Sequence, residues 1–265
     1  MIEADMVAAR RDRGAGGEES MNEDGMPATQ ASWPQLWLEL AGGLAVTIAL
    51  GALAASVMAL PLRVAGVAAV VMAAVGALIL HAWPDTRRGL GPANRVTLLR
   101  AALVALVAGA LAAPAWAQQH ATALALVAAL ALLMDGVDGW VARRCGCESA
   151  FGARFDMELD AFLILILCVH LLLMDKAGSW VLAIGAMRYG FVAAMFVWPW
   201  LEGPLPESRR RKLVCVWQVA SLLVSLLPMV KPALAVPLLV LALALLAWSF
   251  AVDVRWRRAH GRVDA

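Results

Sequence analysis

The stretch from Met134 to Phe162, MDGVDGWVARRCGCESAFGARFDMELDAF, decides how this chain is read. It lies between two long apolar runs, yet it carries Asp135, Asp138, Asp156 and Asp160. Gly139 and Ala142 follow Asp135 and Asp138 at helical spacing, so these four positions share one helix face. Gly152, Asp156 and Asp160 recur at intervals of four and share a face of the next helix. A short loop joins the two segments, which predicts antiparallel neighbours. Four carboxylates then converge at one edge of the apolar segments.

Such a cluster is unstable alone. An Asp at the centre of a membrane helix costs about 2.5–3.5 kcal/mol, and like charges held close oppose each other's ionisation. Carboxylate oxygens suit hard cations such as Mg²⁺, Mn²⁺ or Ca²⁺. Four of them suffice to bridge two metals in a clamp for phosphoryl chemistry. Gly139, Ala142 and Gly152 leave room for a ligand or a neighbouring backbone. Arg143, a turn beyond Asp138 and Gly139, is suited to hold a phosphate.

Composition sets the surroundings. Of 265 residues, 62% are hydrophobic and 16% charged, against about 25% charged in soluble domains. Several apolar runs are long enough to span a bilayer. The reading is an all-α, polytopic membrane helix bundle. A net charge of +2 gives no footprint for nucleic acid. Eight spans are expected, near 36–60, 63–81, 97–114, 119–142, 153–174, 178–200, 213–230 and 233–254. Prolines such as Pro61, Pro114 and Pro232 fall between them. Residues 1–34 are polar and Gly-rich, and the expectation is a disordered cytoplasmic segment that is not a signal peptide.

Eight spans put both termini on one side. Segments on that side hold seventeen Lys and Arg, including Arg10, Arg87, Arg144, Arg154 and Arg255, against Arg63, Lys176 and Lys231 opposite. The positive-inside rule therefore predicts a cytoplasmic-membrane protein with both termini and the aspartates facing the cytoplasm. Cys145 and Cys147 are too close for an easy mutual disulfide and lack the second pair of a zinc site. Reduced thiols are expected there and at Cys168 and Cys215.

The stretch follows the pattern D-x2-D-G-x2-A-R-x8-G-x3-D-x3-D. It resembles the signature of the CDP-alcohol phosphatidyltransferase family, matched at Asp135, Asp138, Gly139, Ala142, Arg143, Gly152, Asp156 and Asp160. Upstream, PANRVTLLR looks like the family's entry into its first core helix, with Asn94, Thr97 and Arg100 in phase. RRRKLVCVWQ resembles the start of a later core helix. The resemblance covers about residues 92–254 as a six-helix core. It leaves 35–91 as two accessory N-terminal transmembrane helices with a linker, and 255–265 as a cytoplasmic tail.

The resemblance implies a phospholipid-synthesising transferase that moves a substituted phosphate from a CDP-linked donor to an alcohol and releases CMP. Asp135, Asp138 and Asp156 would hold divalent metal, Mg²⁺ or Mn²⁺ and two ions, with Asp160 near the second ion. Asp160 would also be the general base on the acceptor hydroxyl. Asp138, Gly139, Ala142, Arg143 and Gly152 would shape the nucleotide site. The expected donor is CDP-diacylglycerol, and glycerol 3-phosphate the first choice of acceptor because basic residues surround the site. A CDP-choline or CDP-ethanolamine enzyme acting on diacylglycerol uses the same motif. A cation transporter is the reading of another class. It is disfavoured because the carboxylates sit at one edge, no inverted repeat is visible, and Arg143 and Arg154 suit an anionic ligand.

Other polar residues divide between local roles and function. Arg100 is read as snorkelling, and Arg188 as either an anion contact or the partner of an acid. Arg209–Lys212 serve topology or attract an acidic acceptor. Glu158 points off the metal face as a paired or solvated acid, and Glu39 is interfacial. His170 is a hydrogen-bonded packing residue. The two accessory spans are rich in small residues suited to packing, lipid contact or a homodimer.

Overall fold

The computed structural model describes residues 33–83, 90–145, 149–201 and 208–260. The expectations for the N-terminal segment through residue 32, the linker at 84–89, Cys147 and the tail from 261 lie outside the described residues. So do those for the side chains of Asp138, Ala142 and Arg143.

The described residues form helices and no strand. The long ones are α1 (Trp33–Met58), α2 (Leu62–Ala82), α3 (Gly91–Gly109), α4 (Ala121–Cys145), α5 (Ala150–Leu173), α6 (Leu182–Val197), α7 (Arg209–Leu226) and α8 (Pro232–His260). Six of them, α1, α2, α3, α4, α6 and α8, are long and apolar enough to cross a membrane. The chain is an integral membrane helix bundle. Eight segments were expected to span, and all eight are helices. α5 and α7 fall short on apolarity for a visible reason. α5 carries Arg154, Asp156, Glu158 and Asp160 near its start, and α7 opens on Arg209–Lys212.

α3 is the central helix. In its span 67% of residues are buried, against 17–29% in the other five. It packs on α1, α2, α4 and α5. Alanines explain how so many neighbours approach: Ala101, Ala102, Ala105 and Ala108 are buried along it, and small residues let helix backbones close up. At Gly109 a Cβ would lie 2.4 Å from the carbonyl oxygen of Val64, so α2 and α3 touch backbone to backbone there. Val64 and Ala68 of the accessory hairpin are thus used on α3 of the same chain, whereas Gly42, Gly66 and Gly76 face open space.

Glu39 ties that hairpin to the core. Its Oε2 accepts from the backbone N–H of Leu90 at 2.7 Å, just before α3, and its Oε1 accepts from Arg95 at 2.6 and 2.9 Å. A carboxylate at a helix N-terminus satisfies orphan amide donors and the helix dipole together. At the far end of α5, Asp175 adopts φ 53. Asp175 N donates to Leu172 O at 3.1 Å and Lys176 N to Leu171 O at 2.9 Å. This is a Schellman stop. Lys176 then donates to the carbonyls of Leu227 (3.1 Å) and Val230 beyond α7. His170 is buried and bonded through Nε2 to Val107 O at 2.9 Å, a packing role as expected.

Candidate active site

α4 ends and α5 begins at the same end of the bundle, and α3 packs against both. Direct contact between α4 and α5 is slight, whereas α3 packs firmly on both. The two helices are antiparallel and touch, as expected, but α3 supplies most of the packing that holds the aspartates together. Ser149 starts α5, its Oγ accepting from Gly152 N at 2.9 Å, and so fixes where Asp156 and Asp160 fall.

Asp135, Asp156 and Asp160 each present a carboxylate oxygen within 4.8 Å of the others, half-buried. Arg100 of α3 reaches into this cluster. Its Nη1 donates to Asp135 Oδ1 at 2.6 Å; its Nη2 lies 2.6 Å from Asp156 Oδ1 and 3.0 Å from Asp160 Oδ1. Nη2 also reaches the backbone oxygen of Asp156 at 3.3 Å. With its side chain 1% exposed, Arg100 does not snorkel. It is the internal counter-ion of the carboxylates, and the fork of its guanidinium lets one side chain serve two helices. The sequence signal was available: an arginine one turn inside an apolar helix is a candidate for function by default.

One guanidinium cannot neutralise three carboxylates. The buried Asp156 Oδ1, although close to Arg100, lies off the N–H directions and accepts no hydrogen bond among the described residues. A buried, unsatisfied carboxylate oxygen in an oxygen-only donor set is what a hard divalent cation requires. The residues present fit such an ion.

Gly152 faces α3. A Cβ there would lie 2.6 Å from Asn94 Oδ1 and 3.0 Å from Ser149 Oγ, so the space at Gly152 is filled by Asn94, itself held by donating to Leu90 O at 2.7 Å. Gly152→Ala is expected to cost about 1–3 kcal/mol, the usual range for overpacking. Asn94→Ala in the same chain should recover part of it, as read by thermal unfolding in detergent. Gly139 is on α4 and half-buried.

Arg188 takes the internal pairing of its two readings. It donates to Glu158 Oε1 at 2.5 Å and to Met157 Sδ at 3.1 Å, on a different face of α5 from the aspartates. Glu158 is accordingly a paired acid. Arg210 docks α7 on α8 through Ser249 O (2.6 Å), Ser249 Oγ (2.9 Å) and Asp253 Oδ1 (2.5 Å), and Arg211 shares Asp253 at 3.6 Å. Cys168 and Cys215 are free as expected, but Cys145 is disulfide-bonded, which corrects the expectation of a reduced thiol; its partner lies outside the described residues.

Residues 91–251 match the family model for CDP-alcohol phosphatidyltransferase. The chain belongs to the CDP-alcohol phosphatidyltransferase family. Comparison with curated proteins gives no match, and comparison with solved structures gives none. Membership makes this an enzyme of phospholipid biosynthesis that transfers a phosphatidyl group from a CDP-alcohol to an acceptor within the membrane. The family is metal-dependent in general, in keeping with the carboxylates that Arg100 leaves under-neutralised. α1 and α2 lie outside the matched residues.

Proposed function

We propose that this transferase uses CDP-diacylglycerol as donor and a small, water-soluble alcohol as acceptor, with glycerol 3-phosphate the first choice. The observation that carries the reading is the convergence of Asp135, Asp156 and Asp160 within 4.8 Å at one end of a bundle otherwise exposed to lipid. A donor with a polar pyrophosphate and two acyl chains needs that depth. α7 packs on both α4 and α5, and the bond from Lys176 to Leu227 puts its last turn at the far end of α5, so its basic first turn lies at the carboxylate end. Arg210 and Arg211 share Asp253, and the remaining positive charge supports an acidic acceptor.

Two divalent cations, Mg²⁺ or Mn²⁺, held by Asp135, Asp138, Asp156 and Asp160 would neutralise the donor pyrophosphate as Lewis acids. The chain's own groups do the rest. Asp160 takes the proton from the acceptor hydroxyl as it attacks the phosphorus next to diacylglycerol, and CMP departs. Arg143, by its place in the motif, steadies the phosphates, Gly139 and Ala142 keep the nucleotide side open to close backbone approach, and Gly152 serves the site indirectly by admitting Asn94. Arg100 holds the α4 and α5 carboxylates in register before the donor arrives. The positive-inside distribution supports a cytoplasmic face for this site and for both termini, in an inner membrane. The proposed division is a core over 92–254 with an accessory hairpin before it.

The test is CMP release by purified protein in liposomes with CDP-diacylglycerol and Mg²⁺ or Mn²⁺, adding glycerol 3-phosphate, serine, inositol phosphate or choline one at a time. Release is expected with glycerol 3-phosphate. Release with another acceptor moves the acceptor assignment. Silence with all four, and activity with CDP-choline and diacylglycerol, would reverse donor and acceptor.

A further inference from the structure

We infer that α2 of the accessory hairpin and the outer face of α5 form a binding groove for one acyl chain of an anionic phospholipid, separate from the reacting donor. The groove has a volume of about 770 Å³, within the roughly 300–1,000 Å³ of ligand sites. Val71, Val75 and Leu78 of α2 form one wall, and Phe151, Phe155 and Phe162 of α5 the other. Trp83, just past α2, meets the ring of Phe151 edge-on at 4.7 Å, so the end of α2 lies beside the start of α5 and the helices run antiparallel. The α2 lining runs on from Val71 to Ala82, about 17 Å at 1.5 Å per residue, close to the roughly 15 Å hydrocarbon depth of one leaflet.

Charge selects the occupant. Arg154 lines the groove near the start of α5, at the end level with the Asp cluster. It is exposed and has no acidic partner among the described residues. Glu158, the acid in the lining, is already taken by Arg188. An unpaired arginine above an apolar trough as deep as a leaflet complements a phosphate carried on an acyl chain. Arg154, Phe155 and Phe162 lie roughly a third of a turn round α5 from Asp156 and Asp160, so the groove opens away from the carboxylates. α2 lies outside the family-matched residues, so this groove is an addition to the transferase core.

The experiment is native mass spectrometry of the delipidated full chain in detergent, titrated with phosphatidylglycerol or with phosphatidylcholine of the same acyl chains. Wild type is expected to hold one phosphatidylglycerol in preference to phosphatidylcholine. Arg154→Gln should remove that preference, about fivefold for one arginine. Ala74→Trp, which fills the groove from an exposed position, should weaken both lipids while leaving the donor KM for CMP release unchanged. If Ala74→Trp does not fold, Leu78→Glu, at a position 67% exposed, should likewise weaken both. Equal binding of the two lipids by wild type would overturn the assignment, as would binding unchanged by a filled groove. A raised donor KM in Ala74→Trp would give the groove to the donor's own tail. A dimer lost in Ala74→Trp would give it to a second copy. Either result overturns the separate lipid site.

Discussion

Asp160→Asn is expected to lower turnover by about 10²–10⁴-fold, the usual contribution of a positioned general base, while donor binding stays near normal. The substitution keeps the side chain's shape and an oxygen for Arg100 but removes the proton acceptor. Arg100 retains Asp135 and Asp156 at 2.6 Å each, so α3, α4 and α5 stay joined and the melting temperature should move little. Asp135→Asn and Asp156→Asn should weaken metal affinity and turnover together, because the motif assigns both to the first ion, whereas Asp160 lies near the second, where Asn keeps one ligating oxygen but cannot take the proton. CMP release at saturating Mg²⁺, paired with donor titration at equilibrium, separates the two patterns. Near-normal transfer by Asp160→Asn would place the base elsewhere.

Arg100→Leu should be the most damaging single change to stability. The guanidinium is buried among three carboxylates on two helices. Losing one partner of a fully buried pair costs about 3–5 kcal/mol, and the loss here is smaller because the carboxylates are more than a third exposed to solvent. The loss should depend on metal. In EDTA the carboxylates repel one another across α4 and α5. With Mg²⁺ or Mn²⁺ the added cations take over part of the neutralisation. The rise in melting temperature on adding metal is therefore expected to be larger in Arg100→Leu than in wild type. Arg100→Lys should fall between, since an ammonium supplies the charge without the fork that reaches both helices. An equal response to metal in wild type and Arg100→Leu would show that the arginine and the cations do not share one task.

The interplay of Arg100 with metal gives the site two electrostatic states. Without cations, the arginine keeps three carboxylates together that would otherwise push apart. With cations, the same carboxylates have their second source of positive charge. A transferase whose donor brings more negative charge into the site benefits from carboxylates already held in place.

Much of this was legible in the sequence for local reasons. Apolar length fixed the helical segments, because a backbone in lipid must satisfy its hydrogen bonds within each helix. The spacing of Asp135, Asp156 and Asp160 put each carboxylate on a definable face, because helical periodicity is a property of the chain itself. The bundle decided the rest. That α3 carries most of the packing behind the aspartates depends on which alanine-lined surfaces pack closest. That Arg100 turns inward, that Glu39 caps α3 from fifty-one residues away, and that Gly152 yields its space to Asn94 are contacts between remote segments. Sequence periodicity says which way a side chain points on its own helix. Only packing decides what it meets there, because that depends on a neighbouring helix the local sequence does not encode.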